Sequence, residues 1–229
     1  MLLVIPDVLP RDEALAMGRT LAEADWVDAD MRPGHAPVSN WAAMARHNQQ
    51  LPTTGAAAQA ARARVEAALA RNATFLSAAL PRMIYPPMFN RYGPGDGFGA
   101  HVDDAIHRDP AGAQIRTDLS ATLFLSEGYQ GGKLTIDGPL GAVSCALPAG
   151  HMVLYSGATT HQVTQVTAGE RLACFFWLQS LVRDHDARET LYDIDQSVQA
   201  QTARHGPDDE EVLRLTRVYH RLIRMWAKC

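Results

Sequence analysis

Cysteine is nearly missing from this 229-residue chain. Cys145, Cys174 and Cys229 are too few and too scattered for a disulfide framework or a paired-cysteine zinc site. Long apolar runs are missing too, and none approaches the ~20 residues that span a bilayer. The opening MLLVIPDVLPRDE has five apolar residues before Pro6 and lacks the basic start and length of a secretory signal. A cytoplasmic protein is therefore expected. Charge of one sign is not in excess: a net charge of −4 gives no general attraction to phosphate backbones or anionic lipid. With no basic–aromatic stripe either, neither a nucleic-acid nor a membrane partner is expected. Lysine is scarce, and nearly all basic residues are arginines, whose planar fork suits carboxylates.

What is present is a core: 47% hydrophobic and 20% charged residues are ordinary for a globular protein of one large domain, with or without an appendage. LLVI reads as a short buried strand. PRDEALAMGRTLAEADW has a helix-starting proline, acids in its first turn and apolar residues at helical spacing. GHAPVSN breaks that pattern, and an alanine-rich helical stretch follows over residues 55 to 80. Residues 1–80 thus read as a strand and helices supporting a core.

After Pro81 the texture changes to short Val-, Ile-, Phe- and Thr-rich segments between glycine-bearing breaks. They are MIYPPMFNRY, GFGAHVD, DLSATLFLS, GKLTID, GAVSCALP, HMVLYSG, THQVTQV and RLACFFWLQS. Eight strands without intervening helices predict an antiparallel sandwich or jelly roll over 81–182, hence an α+β chain with a mainly β core. Pro86 and Pro87 fit an edge or a bulge. Residues 183–229 read as a C-terminal helical hairpin broken at Gly206 and Pro207. Leu213, Val218, Leu222 and Trp226 give its last helix an apolar stripe for the sheet or for a dimer contact.

The stretch GFGAHVDDAIH, residues 97 to 107, carries the chemistry. On a strand, His101 and Asp103 point the same way and can occupy adjacent positions on one metal ion. Two histidines and one carboxylate leave the opposite face of an iron open, an arrangement associated with non-heme Fe(II) oxygenases. His161, which begins the strand HQVTQV, is the third candidate. His107, His151, His185, His205 and His220 read as surface or loop residues. Arg171 stands ten residues after His161, across the turn TAGE. In a hairpin that pairs it with Thr167 or Gln165 it faces the metal side, four to six residues away, or ~13–20 Å. A guanidinium with no acid in its own strand suits a carboxylate.

Together HVD, THQV and GER resemble the Fe(II)- and 2-oxoglutarate-dependent dioxygenases with a double-stranded β-helix. The wider stretches NRYGPGDGFGAHVDDAI, RTDLSATLFLS, GGKLTI, LPAGHMVLY and FFWLQSLVRD resemble the bacterial PKHD-type hydroxylases, relatives of the prolyl 4-hydroxylase α-subunit. The resemblance implies that His101, Asp103 and His161 bind Fe(II), and that Arg171 holds the distal carboxylate of 2-oxoglutarate. Tyr92 matches a tyrosine that lines the cosubstrate pocket. Animal prolyl hydroxylases have a further tyrosine on the next strand, but SATLFLS has none, which leaves Thr122 as a candidate second partner.

The implied reaction consumes 2-oxoglutarate and O2, hydroxylates an unactivated C–H bond and releases succinate and CO2, with L-ascorbate keeping the iron reduced. The substrate is open between a peptidyl prolyl or lysyl residue and a small molecule such as a siderophore. Arg116 and His107, in the loop 105–116, are candidates to touch it, with that loop as a lid or a plain excursion. The alternatives are a nucleic-acid demethylase, a zinc hydrolase and a non-catalytic, cupin-like small-molecule binder.

Overall fold

Period-two alternation of side chains organises the molecule. The computed structural model describes residues 1–29 and 46–228; GHAPVSN lies outside them. In chain order the elements are β1 (Leu2–Ile5), α1 (Arg11–Ala22), β2 (Val27–Asp28), β3 (Arg46–His47), β4 (Gln49–Gln50), α2 (Ala56–Leu69), α3 (Ala73–Ala79), β5 (Pro81–Ile84) and β6 (Met88–Tyr92). Then come β7 (Gly97–His101), β8 (Ile106–Arg108), β9 (Gln114–Arg116), β10 (Leu119–Phe124), β11 (Gln130–Gly131), β12 (Leu134–Ile136) and β13 (Val143–Cys145). The chain closes with β14 (Met152–Ser156), β15 (His161–Val163), β16 (Val166–Ala168), β17 (Arg171–Ser180), α4 (His185–His205) and α5 (Glu210–Trp226).

An eight-stranded sheet runs β1-β14-β10-β17-β6-β4-β2, with β5 also paired to β17. A five-stranded sheet runs β13-β12-β15-β7-β3, and the pairs β11-β16 and β8-β9 complete the described strands. Consecutive strands pass between the sheets, as in a jelly roll. This overturns the expected pairing of Arg171 with Thr167 or Gln165. The Val166–Ala168 segment pairs instead with Gln130–Gly131, and Arg171 sits opposite Tyr92 in the large sheet. The turn at Gly169, whose φ is +74°, carries the chain from one layer to the other rather than folding a local hairpin.

On the outer face of the large sheet, Leu119, Ala121, Leu123, Leu154, Cys174, Phe176 and Leu178 form one core with α1, α2 and α3. The small residues Ala58, Ala61 and Ala68 let α2 lie close to the strands. Gly18 brings α1 closer still: a Cβ there would stand 2.3 Å from the Leu125 carbonyl oxygen. The expected helix over 55–80 is two helices, because Asn72 starts a new one by accepting the Phe75 N–H at 2.8 Å. MIYPPMFNRY likewise forms two strands, since Pro86 and Pro87 have no N–H for the ladder. Strand β1 is an edge strand with Leu2 and Val4 exposed, not the buried strand its composition suggests.

The C-terminal helices are capped by Asp184, which accepts from Ala187 N, and Asp209, which accepts from Glu211 N and Val212 N. They pack on each other and on the end of β17 through Val182, Ala187 and Leu191 against Tyr219, Leu222, Ile223 and Trp226. The expected stripe is therefore corrected. Leu222 and Trp226 pack, while Leu213 and Val218 are exposed. The packing face instead follows Val212, Leu215, Tyr219, Leu222, Ile223 and Trp226, the i, i+3, i+4, i+7 spacing of one helix stripe. No helix among the described residues is long and apolar enough to cross a membrane.

Candidate active site

The inner face of the large sheet is where polar groups collect. Residues of β6, β10 and β17 that alternate with the outer core turn here, among them Asn90, Tyr92, Ser120, Thr122 and Arg171, each less than a tenth exposed. The smaller sheet, through Leu134, Ile136 and Val163, and the β11-β16 pair, through Val166, close over this face and cluster with Tyr92, Phe124, Val153 and Tyr155. Burial on this scale makes every polar group here depend on a partner.

At one end, β7 and β15 pair so that His101 and His161 are direct cross-strand neighbours. Their ring centroids lie 4.2 Å apart. Asp103 follows just past the end of β7, which stops at His101. Exposed Val102 separates the two, so the alternation that puts both side chains inward survives beyond the strand. One ligand atom from each of His101, Asp103 and His161 lies within 4.8 Å of the others, and Asp103 Oδ2 is 3.8 Å from His161 Nε2. Both rings have Nδ1 against a carbonyl oxygen, Gly99 at 2.9 Å for His101 and Thr159 at 3.0 Å for His161. That places the proton on Nδ1 and the lone pair on Nε2, the orientation of metal-binding imidazoles. Phe98 stacks on His101 at 3.8 Å, and Tyr155 meets His161 edge-on at 5.0 Å. The donor set, two imidazole nitrogens and one carboxylate, fits a divalent iron.

At the other end, six residues or ~20 Å along β17 from the row that carries Ser120 and Trp177, lies Arg171. It is 1% exposed, with its guanidinium carbon 5.3 Å from the ring centroids of both Tyr92 and Phe124. Gly132, with φ at +57°, makes room for it: a Cβ would stand 3.1 Å from Arg171 Cδ. Nε and Nη1 of this buried cation have no hydrogen-bond partner among the described residues. A guanidinium kept dry with donors unused fits an anion that completes it, such as the distal carboxylate of 2-oxoglutarate.

Tyr129 is the neighbour the sequence did not reveal. Burial raises its phenol pKa, while the charge of Arg171 and a hydrogen bond to it pull the other way. Thr122 hydrogen-bonds Tyr155. The Tyr155 pKa is pushed well up, chiefly by complete burial and then by the negative charge of Asp103. Tyr155 therefore stays a neutral phenol. Tyr129 lies in the glycine-rich turn EGYQGG, where a tyrosine flanked by glycines was the one available signal.

The other histidines separate. His107 belongs to the β8–β9 hairpin into which the loop 105–116 folds, and it stacks on Trp177 at 3.7 Å with Tyr85 edge-on to both. It is thus no plain surface histidine. Arg116 is held by both oxygens of Asp118, at 2.7 and 2.8 Å. His151 lies near Asp7, and His185 contacts the amino terminus and Glu189.

Comparison with known proteins gives the family. A family model for the 2OG-Fe(II) oxygenase superfamily matches residues 87–179, and one for the PKHD-type hydroxylase C-terminal domain matches residues 185–228. A PKHD-type hydroxylase of Caulobacter sp. (strain K31) is 48% identical over 231 residues, covering 100% of both chains. One from Klebsiella pneumoniae (strain 342) is 47% identical over 226 residues, covering 98% of each. The chain belongs to the PKHD-type hydroxylase family. It is a 2-oxoglutarate-dependent hydroxylase that uses Fe(II) and O2, which sets aside the non-catalytic binder. Among solved structures, a Pseudomonas putida prolyl-4-hydroxylase superposes with a TM-score of 0.52 at 24% identity, covering 78% of this hydroxylase and 92% of that chain. A prolyl hydroxylase from Trichoplax adhaerens, in complex with a hypoxia inducible factor peptide fragment, gives 0.55 at 15% identity, covering 83% and 86%. These two likenesses establish the jelly-roll fold.

Proposed function

We propose that His101, Asp103 and His161 hold the Fe(II) and that Arg171, with Tyr129 beside it, binds the distal carboxylate of 2-oxoglutarate. Tyr92 lines the cosubstrate space between them. The observation that carries this reading is the buried Arg171 with two unused donors, in the space between the sheets that the triad also faces. The arginine arm and an extended five-carbon diacid are of the right order to bridge the two ends of the face.

When bound, the iron supplies the oxidising chemistry that couples decarboxylation of 2-oxoglutarate to hydroxylation of a C–H bond. The chain does the positioning. Gly99 and Thr159 carbonyls fix the imidazoles, Asp103 brings the compensating negative charge, and Arg171 fixes the far end of the diacid. Val153, Phe124 and Val166 keep that space apolar. No side chain is required as a general base.

The reading includes L-ascorbate as reductant, a cytoplasmic setting and no nucleic-acid or membrane partner. It keeps the division 1–80, 81–182 and 183–229, with exposed Leu213, Val218 and Met225 on α5 as a homodimer contact. The substrate is a peptidyl prolyl or lysyl residue or a small molecule such as a siderophore. The Trichoplax adhaerens enzyme holds a peptide, and HygX from Streptomyces hygroscopicus holds hygromycin B, so structures of this architecture accommodate both classes. Anaerobic reconstitution with Fe(II) and 2-oxoglutarate, then air and cell extract, tests the reading. Succinate formation with one extract component gaining an oxygen atom supports it; no succinate under any condition contradicts it.

A further inference from the structure

Each candidate metal ligand has its own support. His101 has the Gly99 carbonyl and the Phe98 ring, and His161 has the Thr159 carbonyl and the Tyr155 ring. For Asp103 the support comes from the opposite sheet: Ser120 Oγ donates to its Oδ2 at 2.6 Å. Ser120 is 2% exposed and lies on β10 between Tyr155 of β14 and Trp177 of β17, its two direct cross-strand neighbours. The Asp103 side chain is 8% exposed, so little water reaches this bond. Asp103 also stands beyond the end of β7, where no strand pairing fixes its backbone. A carboxylate on an unpaired segment is free to rotate and to offer either oxygen unless one of them is held.

We propose that Ser120 is a positioning residue for the iron, which rests on the assignment of His101, Asp103 and His161 as its ligands. By engaging Oδ2, the oxygen that stands 3.8 Å from His161 Nε2, it fixes the plane of the carboxylate that faces the two imidazoles. It thereby keeps Asp103 to one coordination position, so that the open face can take 2-oxoglutarate and dioxygen. It is also a side-chain hydrogen bond between β10 and a triad residue. It therefore ties Asp103 to the sheet that carries Arg171.

Removal of such an outer hydrogen bond from a metal ligand costs about 10–100-fold in metal affinity. The full chain, stripped of metal, is titrated anaerobically with Fe(II), and separately with Co(II) as a redox-silent probe, for the parent, Ser120→Ala and Ser120→Thr. Melting of the metal-free proteins is recorded in parallel. The proposal expects Ser120→Ala to lose about 10–100-fold in affinity for both ions with metal-free melting unchanged. Ser120→Thr, which restores the hydroxyl, should return to within a few-fold of the parent. At saturating Fe(II) and 2-oxoglutarate, the charge-transfer band of Ser120→Ala should also move.

Equal affinity in Ser120→Ala and parent overturns the proposal. So does a loss that threonine does not rescue and that tracks metal-free melting. Should Ser120→Ala not fold, Ser120→Cys replaces it, and its weaker donor should give an intermediate loss; parent-like affinity there overturns the proposal equally. A parent that binds neither ion contradicts instead the assignment of the triad.

Discussion

Strands β10 and β17 each have two faces, and the faces do opposite things. Outward, Leu119, Leu123, Cys174, Phe176 and Leu178 pack against three helices, with Phe176 edge-on to Phe75 at 6.3 Å. Inward, the same strands place Ser120 and Thr122, which have partners, and Arg171, with two donors that have none among the described residues, in a buried space. The outer face gains free energy from apolar burial, while a dry guanidinium with unused donors costs it. The contrast shows how a site can hold unsatisfied groups in place: the strands that carry them are fixed from behind. Even Cys174, on the outer face, is inert by this logic, because burial pushes its thiol pKa far up.

The largest expected effect is on the inner face. Asp103→Ala or His161→Ala should bring iron-dependent succinate formation down to background while metal-free melting barely moves. Full turnover in either variant removes that residue from the site. Next is the outer face, where Phe176→Ala should cost about 3–5 kcal/mol by denaturant unfolding and lower Tm by about 6–20 °C. Whatever fraction stays folded should keep its metal affinity.

Arg171→Met should act in the opposite sense. Replacing an uncompensated buried charge by an apolar chain of similar length should leave metal-free stability unchanged or raise it by up to about 4 kcal/mol. A loss of several kcal/mol in urea unfolding would mean that Arg171 is satisfied by the protein alone. The smallest effect lies far from both faces. Asp209→Ala removes the cap of α5 and should cost about 1 kcal/mol in unfolding experiments, with 2-oxoglutarate turnover unaffected.

Much of the site was legible because its signals are local. HVD needs only two-residue alternation, and His161 needs only a strand start after a glycine break. Arg171 was legible as an inward arginine but not in its pairing. TAGE reads as a hairpin turn, and nothing nearby in sequence tells that β16 and β17 belong to different layers. Ser120, Thr122 and Tyr129 acquire their roles only when the sheets close. Within SATLFLS a buried serine and a solvent-facing serine look the same. His107 reads as part of a polar loop, because its neighbour Trp177 is seventy residues away. On α5 the apolar residues outnumber those needed for one stripe, so choosing Leu213 and Val218 required knowing which face α4 covers.

In the proposed site one buried space between the sheets holds an iron at one end and the far carboxylate of 2-oxoglutarate at the other. Titrating 2-oxoglutarate into the anaerobic Fe(II) protein, and following the charge-transfer band, measures both ends at once. Arg171→Gln should bind 2-oxoglutarate weaker by about 2–5 kcal/mol, roughly thirty-fold to several thousand-fold, with Fe(II) affinity nearly unchanged. Arg171→Lys should recover part of the loss, since it keeps the charge without the two-pronged geometry. If Arg171→Gln binds 2-oxoglutarate as tightly as the parent, the buried guanidinium is not the cosubstrate's partner and the proposed site is wrong.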